Sequence, residues 1–204
     1  MISVVDYRAG NAPSVLYAFR KLGLDARLVS KPDEVAEAQR LVLPGVGAAG
    51  ATMGSLAESG ILEPMTRRVR DDGVPFFGIC IGLQLLFDRS EEGDTETLGW
   101  LPGTVRRFPD TDRVPQIGWN EVTFRRPHPV TADLPDAGHF YFVNSYHAVP
   151  ADETDVLGST DYSVEFCSVA ARANIVATQF HAEKSGELGL RLLASFSRWN
   201  GKPC

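Results

Sequence analysis

The sequence has few cysteines, and their spacing is not that of a metal site. The cysteines are Cys80, Cys167 and Cys204, and three widely separated thiols fit neither a disulfide scaffold nor a zinc site. The chain also lacks a phosphate-cradling glycine loop followed by a lysine. We therefore expect no metal and no cofactor.

Excess positive charge and long apolar runs are missing too. The formal net charge is −6, so the chain lacks the basic surface that nucleic acids and anionic membranes require. No apolar segment approaches the roughly 20 residues of a membrane-spanning helix. The first residues also lack the basic start and apolar stretch of a signal peptide. These absences predict a cytoplasmic protein that binds neither nucleic acid nor membrane.

The composition is that of one ordinary globular domain. Of the 204 residues, 44% are hydrophobic and 23% are charged. A chain of this length can bury about 70% of the surface that it exposes when unfolded. Because no linker, repeat or low-complexity tract divides it, we expect a single domain over residues 1–204.

The two halves of the chain differ in their hydrophobic pattern, and together they predict an α/β fold. Apolar runs predict strands at 2–6, 26–30, 41–43, 75–79, 103–108, 120–124, 140–143 and within 156–180. Helical periodicity predicts helices that open at Pro13 and after Pro32, and others at 48–70 (with a break near 59–60), 81–89 and 186–199. We expect an open, mostly parallel sheet flanked by helices, with antiparallel strands added in the second half.

One cysteine lies between two glycines where a buried strand should turn into a helix. The segment Gly78-Ile79-Cys80-Ile81-Gly82 is the cysteine counterpart of the Gly-x-Ser-x-Gly nucleophile elbow. A position at the start of a helix favours the reactive thiolate. A lone cysteine is more often a small buried hydrophobe, and we keep that interpretation for the other two thiols. Cys80 is the predicted nucleophile.

A nucleophilic cysteine needs a base and a group that orients the base. In an extended run, His181 and Glu183 would share a face, so the carboxylate could hold the imidazole. Alone, this His-x-Glu pair is weak evidence for a catalytic base. The nucleophile elbow around Cys80 strengthens that interpretation. The remaining histidines lack such a carboxylate and are interpreted as structural or surface residues: His128, His139 and His147.

Motifs along nearly the whole chain carry a family resemblance. They are Asp6-Tyr7-Arg8-Ala9-Gly10-Asn11, Leu43-Pro44-Gly45-Val46-Gly47, Gly78-Ile79-Cys80-Ile81-Gly82-Leu83-Gln84, Ser90-Glu91-Glu92-Gly93, Gly118-Trp119-Asn120, Tyr141-Phe142-Val143-Asn144-Ser145-Tyr146 and Gln179-Phe180-His181-Ala182-Glu183-Lys184-Ser185. With them the chain resembles the class I (triad) glutamine amidotransferases, and more closely the glutaminase subunits of imidazole glycerol phosphate synthase. Ala182 stands where this family usually has a proline.

The resemblance implies hydrolysis of L-glutamine to glutamate and ammonia through a cysteine thioester. The implied catalytic triad is Cys80, His181 and Glu183, and the implied oxyanion hole uses backbone N–H groups of Ile81 and Val46. The implied glutamine-binding residues are Gln84, Glu92, Ser145 and Tyr146. The implied partner-facing residues are Asn11, Trp119, Asn120 and Lys184.

The resemblance also implies a heterodimer with a cyclase subunit, a (β/α)₈ barrel. This partner would receive the ammonia and make imidazole glycerol phosphate and AICAR in histidine biosynthesis. Three alternatives remain: a glutaminase feeding another synthase, a stand-alone thiol hydrolase, and a non-catalytic regulator on the same fold. The motifs Gly118-Trp119-Asn120 and Glu183-Lys184-Ser185 disfavour the first, and the presence of a complete triad disfavours the last.

Overall fold

The protein is built around one large mixed sheet with helices on both faces. A computed structural model describes residues 1–8 and 11–202. The strands are β1 (Ile2–Val5), β2 (Ala26–Val29), β3 (Leu41–Leu43), β4 (Phe76–Ile79), β5 (Arg89–Ser90), β6 (Thr95–Glu96), β7 (Gly103–Arg107), β8 (Gln116–Phe124), β9 (Ala137–Asn144), β10 (Tyr146–Pro150), β11 (Val156–Tyr162), β12 (Val164–Arg172) and β13 (Ile175–Thr178). The α-helices are α1 (Ala12–Lys21), α2 (Pro32–Ala36), α3 (Ala49–Glu58), α4 (Leu62–Thr66), α5 (Ile81–Gln84) and α6 (Gly186–Arg198).

The order of strands across the sheet is β2-β1-β3-β4-β13-β12-β10-β7-β5-β6, and β11, β8 and β9 branch from β12. From β2 to β13 the neighbours are parallel, whereas β12 is antiparallel to β13, β10 and β11. The predicted mixed α/β open sheet is therefore confirmed. The antiparallel part is larger than predicted, because β5, β6 and β10 were missed and β8 and β9 are longer.

The central parallel strands are buried on both faces, which explains why they read as continuous apolar runs. On one face, Phe77 of β4 packs in a cluster with residues of α1 and α6 that include Phe19 and Phe196. On the other face, Phe76 packs with residues of α3 and α4 that include Leu56 and Met65. Adjacent residues of one strand thus belong to two different cores.

The helix predictions of the first half are confirmed at several boundaries. Proline stands in the first turn of α1, and Gly23, with a φ of 71°, follows its end. The predicted interruption lies between the end of α3 at Glu58 and the start of α4 at Leu62.

The predicted helix at 81–89 is wrong beyond its first turn, since α5 ends at Gln84. After α5, the carbonyl oxygens of Leu85, Leu86 and Phe87 each accept a hydrogen bond of 2.8 Å from a residue further along the chain. The N–H donors are those of Leu98, Trp100 and Gly99, respectively. The side chains of the three accepting residues are also buried. A tertiary backbone pairing therefore replaces the helix that local periodicity predicted.

Three residues that carried sequence interpretations lie outside the described residues: Ala9, Gly10 and Cys204. Within the described ranges, none of the helices combines the length and the apolar character needed to cross a bilayer.

The turn from β4 into α5 depends on two glycines that approach other backbone atoms closely. A Cβ atom on Gly82 would lie 2.1 Å from the carbonyl oxygen of Leu43, and one on Gly78 would lie 2.4 Å from the carbonyl oxygen of Gly82. No side chain fits at either distance. The sharp turn around Cys80 is therefore built by backbone packed directly against backbone.

We predict that Gly82→Ala lowers the free energy of unfolding by at least about 1–3 kcal/mol, because the added methyl group forces the start of α5 away from the end of β3. Gly54→Ala is the matched control, since a Cβ atom there meets nothing within 4 Å in the middle of α3. This control should raise stability by about 0.5–1 kcal/mol. Urea unfolding of both variants is the measurement, and equal midpoints would contradict the prediction.

Candidate active site

Three segments with predicted functions follow neighbouring parallel strands. The turn containing Val46 follows β3, Cys80 follows β4, and His181 comes soon after β13. Because parallel strands end at the same edge of a sheet, these segments meet there, as ligand sites in open α/β sheets generally do.

Cys80 has a strained backbone that turns its side chain out of the sheet edge. Its φ of 56° and ψ of −104° are rare for a residue with a side chain. Its N–H donates to the carbonyl of Thr178 at 2.7 Å, and its residue is only 7% exposed. Since α5 has a single turn, its dipole favours the thiolate less than the longer predicted helix would.

His181 and Glu183 form a buried pair. Nδ1 of His181 lies 2.8 Å from Oε1 of Glu183, and each side chain is 1% exposed. The expected extended conformation is wrong here, because residues Ala182–Lys184 form a 3-10 turn. The two side chains meet across this turn rather than along one face of a strand.

The turn between them is fixed without the usual proline. The Ser185 hydroxyl donates to the carbonyl of His181 at 2.7 Å. The carbonyl of Ala182 packs against Gly189 of α6, where a Cβ atom would lie only 2.0 Å away. Ala182 itself is fully buried. These contacts fix the turn between His181 and Glu183 at the position where the sequence departs from the family that it resembles.

The surroundings of His181 favour its charged form. Burial lowers the pKa of the ring, but hydrogen bonds to Cys80 and Glu183 and the charges of both outweigh that effect and raise the pKa to about 9. His128 shows the opposite balance, because burial and the charge of Arg126 lower its pKa to about 4. The ring beside Cys80 is therefore an acid at neutral pH.

A cavity of about 300 Å³ opens beside the Cys80 sulfur, a size at the lower end of small-molecule sites. The predicted site residues that line it are Val46, Cys80, Ile81, Gln84, Glu92, Ser145, Tyr146, His181 and Lys184. Glu183 is buried behind His181. The predicted catalytic, oxyanion and substrate residues are thus brought to one place. The wall of the cavity also carries a cationic side chain, Lys184, and an anionic side chain, Glu92.

The hydrogen bonds of Gln84 and Glu92 limit what each can offer a ligand. Nε2 of Gln84 donates to the carbonyl of Tyr146 at 3.0 Å and to Oε1 of Gln179 at 3.1 Å. Its own carbonyl oxygen is left as an acceptor for a ligand amine. Oε2 of Glu92 accepts from the N–H of Ala49 at 2.8 Å, so its other oxygen remains for a ligand.

The predicted partner-facing residues have different settings. Trp119 is 56% exposed and Lys184 is exposed at the cavity wall. Asn120 is half-buried and donates to the carbonyl of Asp161 at 3.2 Å. Asn11 is also half-buried, and its amide donates to Oε1 of Glu183. Asn11 thus contacts a member of the predicted triad.

Sequence reasoning assigned no role to several residues at the site. Pro115, Val143 and Asn144 line the cavity, and Val143 stands opposite Ile117 on the neighbouring strand. Gln179 is buried against the Cys80 sulfur. The only available signal for Gln179 was a polar residue at the end of an apolar strand, two positions before His181.

Within the described residues, neither Cys167 nor any cluster of potential metal ligands indicates a second reactive or metal-binding site. Cys167 is buried in β12, and burial raises the pKa of its thiol to about 12, so it is inert. Over the described ranges, no cluster of three or more His, Cys, Asp or Glu residues could hold a metal ion.

Solved structures share this fold. The chain superposes on a crystal structure of a glutamine amidotransferase with a TM-score of 0.76, 20% identity and coverage of 96% of this chain and 97% of the other. The structure of PurLQS from Thermotoga maritima gives a TM-score of 0.77 at 18% identity, with 96% of each chain covered. At these identities the likeness concerns the fold alone.

Sequence relatives define the family. The model of the family "Glutamine amidotransferase class-I" matches residues 3–197. The chain is 46% identical to the imidazole glycerol phosphate synthase subunit HisH of Dehalococcoides mccartyi (strain CBDB1), over 96% of both chains. It is also 46% identical to HisH of Chloroflexus aurantiacus, over 98% of this chain and 96% of the relative. The chain belongs to the class-I glutamine amidotransferase family, in its branch of HisH subunits.

We predict that His181 titrates near pH 9 and His128 near pH 4 in an NMR titration of the imidazole protons. Because the folded pKa of His181 exceeds the usual value of about 6.5, its charge contributes stability fully below pH ~6.5, and this contribution is lost as pH rises through 9. Glu183→Gln should lower the His181 midpoint and leave that of His128 unchanged. A His181 midpoint near 6.5 in both proteins would refute this.

Proposed function

We propose that the cavity beside Cys80 binds L-glutamine and that Cys80, His181 and Glu183 hydrolyse its side-chain amide. The chain is a glutamine amidotransferase, and its function is that of the glutaminase subunit of imidazole glycerol phosphate synthase. The observation that supports the site assignment most is that a strained cysteine, Cys80, and His181 line one cavity, while the buried carboxylate of Glu183 pairs with His181 behind it. We also propose one glutamine amidotransferase domain over residues 1–204.

In the first step, the Cys80 thiolate attacks the amide carbon of glutamine. The imidazolium of His181 gives its proton to the departing nitrogen, so ammonia leaves and a glutamyl thioester forms. Glu183 keeps the ring oriented throughout. The raised pKa of His181 supports this order of events, because the ring already carries the proton that the leaving group needs.

The negative oxygen that develops on the amide carbon needs hydrogen-bond donors. Ile81 begins α5, so its N–H has no partner within the helix. An N–H of the turn at Val46, which lines the same cavity, is the proposed second donor. Loss of one such donor typically raises the barrier by about 2.7–4 kcal/mol.

In the second step, water attacks the thioester carbon while neutral His181 takes its proton. The C–S bond breaks, the new γ-carboxyl group loses its remaining proton to solvent as glutamate leaves, and the Cys80 thiolate and the imidazolium are restored. No redox partner or cofactor is needed for either step, because bonds and protons balance between the protein, glutamine and water.

Recognition of the amino-acid end of glutamine falls to the far wall of the cavity. We assign the α-ammonium group to the carbonyl oxygen of Gln84 and the free carboxylate oxygen of Glu92. Main-chain groups of Ser145 and Tyr146 complete the proposed binding site. Lys184 is the cation of the same cavity wall.

The relatives are named as subunits, and we propose that this chain acts with a cyclase subunit that is a (β/α)₈ barrel. Asn11, Trp119, Asn120 and Lys184 are the proposed contact residues, and ammonia passes to the barrel without entering solvent. A sealed passage matters because ammonia is largely protonated in neutral water and is then no nucleophile. We place the pair in the cytoplasm, where reducing conditions keep a reactive thiol free.

The alternatives are weaker on specific grounds. The HisH relatives at 46% identity disfavour a glutaminase that serves another synthase. The intact cluster of Cys80, His181 and Glu183 disfavours a non-catalytic regulator. A stand-alone hydrolase would use the same residues and would differ in its independence of a partner.

We predict that Cys80→Ala abolishes glutamine-dependent synthesis by the reconstituted complex but leaves ammonia-dependent synthesis, because only ammonia production needs the thiolate. Cys167→Ala is the control, since it removes a buried thiol of β12 that does not reach the cavity, and it should retain both activities. Product formation with glutamine and with ammonium salt is compared. Glutamine use by Cys80→Ala would exclude this residue from the chemistry.

We further predict that the purified chain releases glutamate from glutamine slowly and that a cyclase subunit with its ribonucleotide ligand accelerates the release. The assay measures glutamate from the chain alone, with the cyclase, and with cyclase plus ligand. A full rate without the partner would favour the stand-alone hydrolase instead.

A further inference from the structure

One buried polar side chain at the site has no part in the mechanism above. Gln179 is 0% exposed and follows the last residue of β13, at the edge of the core behind Cys80. Burying an amide without hydrogen bonds is costly, so its contacts indicate what it does.

Both ends of the Gln179 amide contact functional residues. Its Nε2 lies 3.6 Å from Sγ of Cys80, and its Oε1 accepts from Nε2 of Gln84 at 3.1 Å. Because Gln84 presents an N–H at this point, the oxygen of Gln179 has to face it. The N–H group of Gln179 is therefore the one that faces the sulfur.

We propose that Gln179 is a positioning residue that donates a hydrogen bond to the Cys80 thiolate and at the same time orients Gln84 for the substrate. This inference rests on the proposed function of the site. It links the nucleophile to the residue that is assigned to the α-ammonium group of glutamine.

The backbone around Gln179 keeps its side chain in this place. Its N–H donates to the carbonyl of Ser168 in β12 at 2.8 Å. The hydroxyl of the preceding residue, Thr178, bonds the carbonyl of Phe180 at 2.9 Å. Gln84 is fixed in turn by its second bond, to the carbonyl of Tyr146. The amide is thus preorganised before substrate arrives.

A donor in this position acts differently on the thiolate and on the thioester. The sulfur is negative before attack and again when it leaves in the second step, and a hydrogen bond to a charged acceptor is stronger than one to a neutral acceptor. Gln179 should therefore favour both the attacking and the departing sulfur. The charged or titratable groups that also face this sulfur or its cavity are Tyr7, Glu92, Tyr146, His181 and Lys184.

The test uses Gln179→Met, which keeps the volume and removes both hydrogen bonds, and Gln179→Glu, which keeps an acceptor toward Gln84 but loses the amide donor. Gln116→Met is the matched control, because Gln116 is also buried, with 3% of its surface exposed, and its amide finds no hydrogen-bond partner among the described residues. Carboxamidomethylation by iodoacetamide is followed across pH by mass spectrometry of the peptide that contains Cys80. Urea unfolding shows whether each variant is folded.

We expect both Gln179 variants to alkylate about tenfold more slowly at neutral pH, with profiles that move to higher pH. In the complex, kcat should fall in both, and KM for glutamine should rise mainly in Gln179→Met, because only that variant frees Gln84. The control should match the wild type. Wild-type alkylation profiles in folded Gln179 variants would overturn the inference, whereas a wild type without glutaminase activity would overturn the proposed function instead.

Discussion

The close approach of two backbones shapes this site more than any side-chain contact. The start of α5 lies directly against the end of β3 because Gly82 has no Cβ atom to keep the carbonyl of Leu43 away. That contact places Cys80 beside the turn that holds Val46, two segments far apart in the sequence. A larger residue at this point would separate the nucleophile from one of its proposed oxyanion donors without touching either.

The proposed triad is held by hydrogen bonds from neighbouring polar groups. A charged imidazole and a carboxylate are costly to bury unless each is paired and hydrogen-bonded. Here Glu183 is contacted by His181 and by the amide of Asn11, while Ser185 fixes the main chain of His181. Since Asn11 is also a proposed contact of the cyclase, the carboxylate lies one hydrogen bond away from the proposed docking surface. This arrangement offers a short physical route between the proposed partner surface and His181.

Local pattern in the sequence predicted most of the parallel part of the sheet, whereas several residues that line the cavity were named only through the family resemblance. A continuous apolar run indicated β4, and paired glycines indicated the turn at Cys80, whereas β13 was only part of the predicted stretch 156–180 and its parallel pairing with β4 was not predicted. The structure beyond α5 was predicted wrongly because its backbone pairs with residues 98–101, a contact that no local period encodes. The contacts of Gln179 were missed for a similar reason, since its partners Cys80 and Gln84 lie 99 and 95 residues away.

The position of β13 has a consequence for synthesis of the chain. This strand is made last, yet it lies between β4 and β12 in the middle of the sheet. Until residues 175–178 have left the ribosome, β4 and β12 each present an unpaired edge, and such edges promote aggregation. Pairing of β13 also brings His181 to the edge of the sheet where Cys80 lies. A nascent chain thus carries the Cys80 thiol for most of its synthesis without His181, the proposed base.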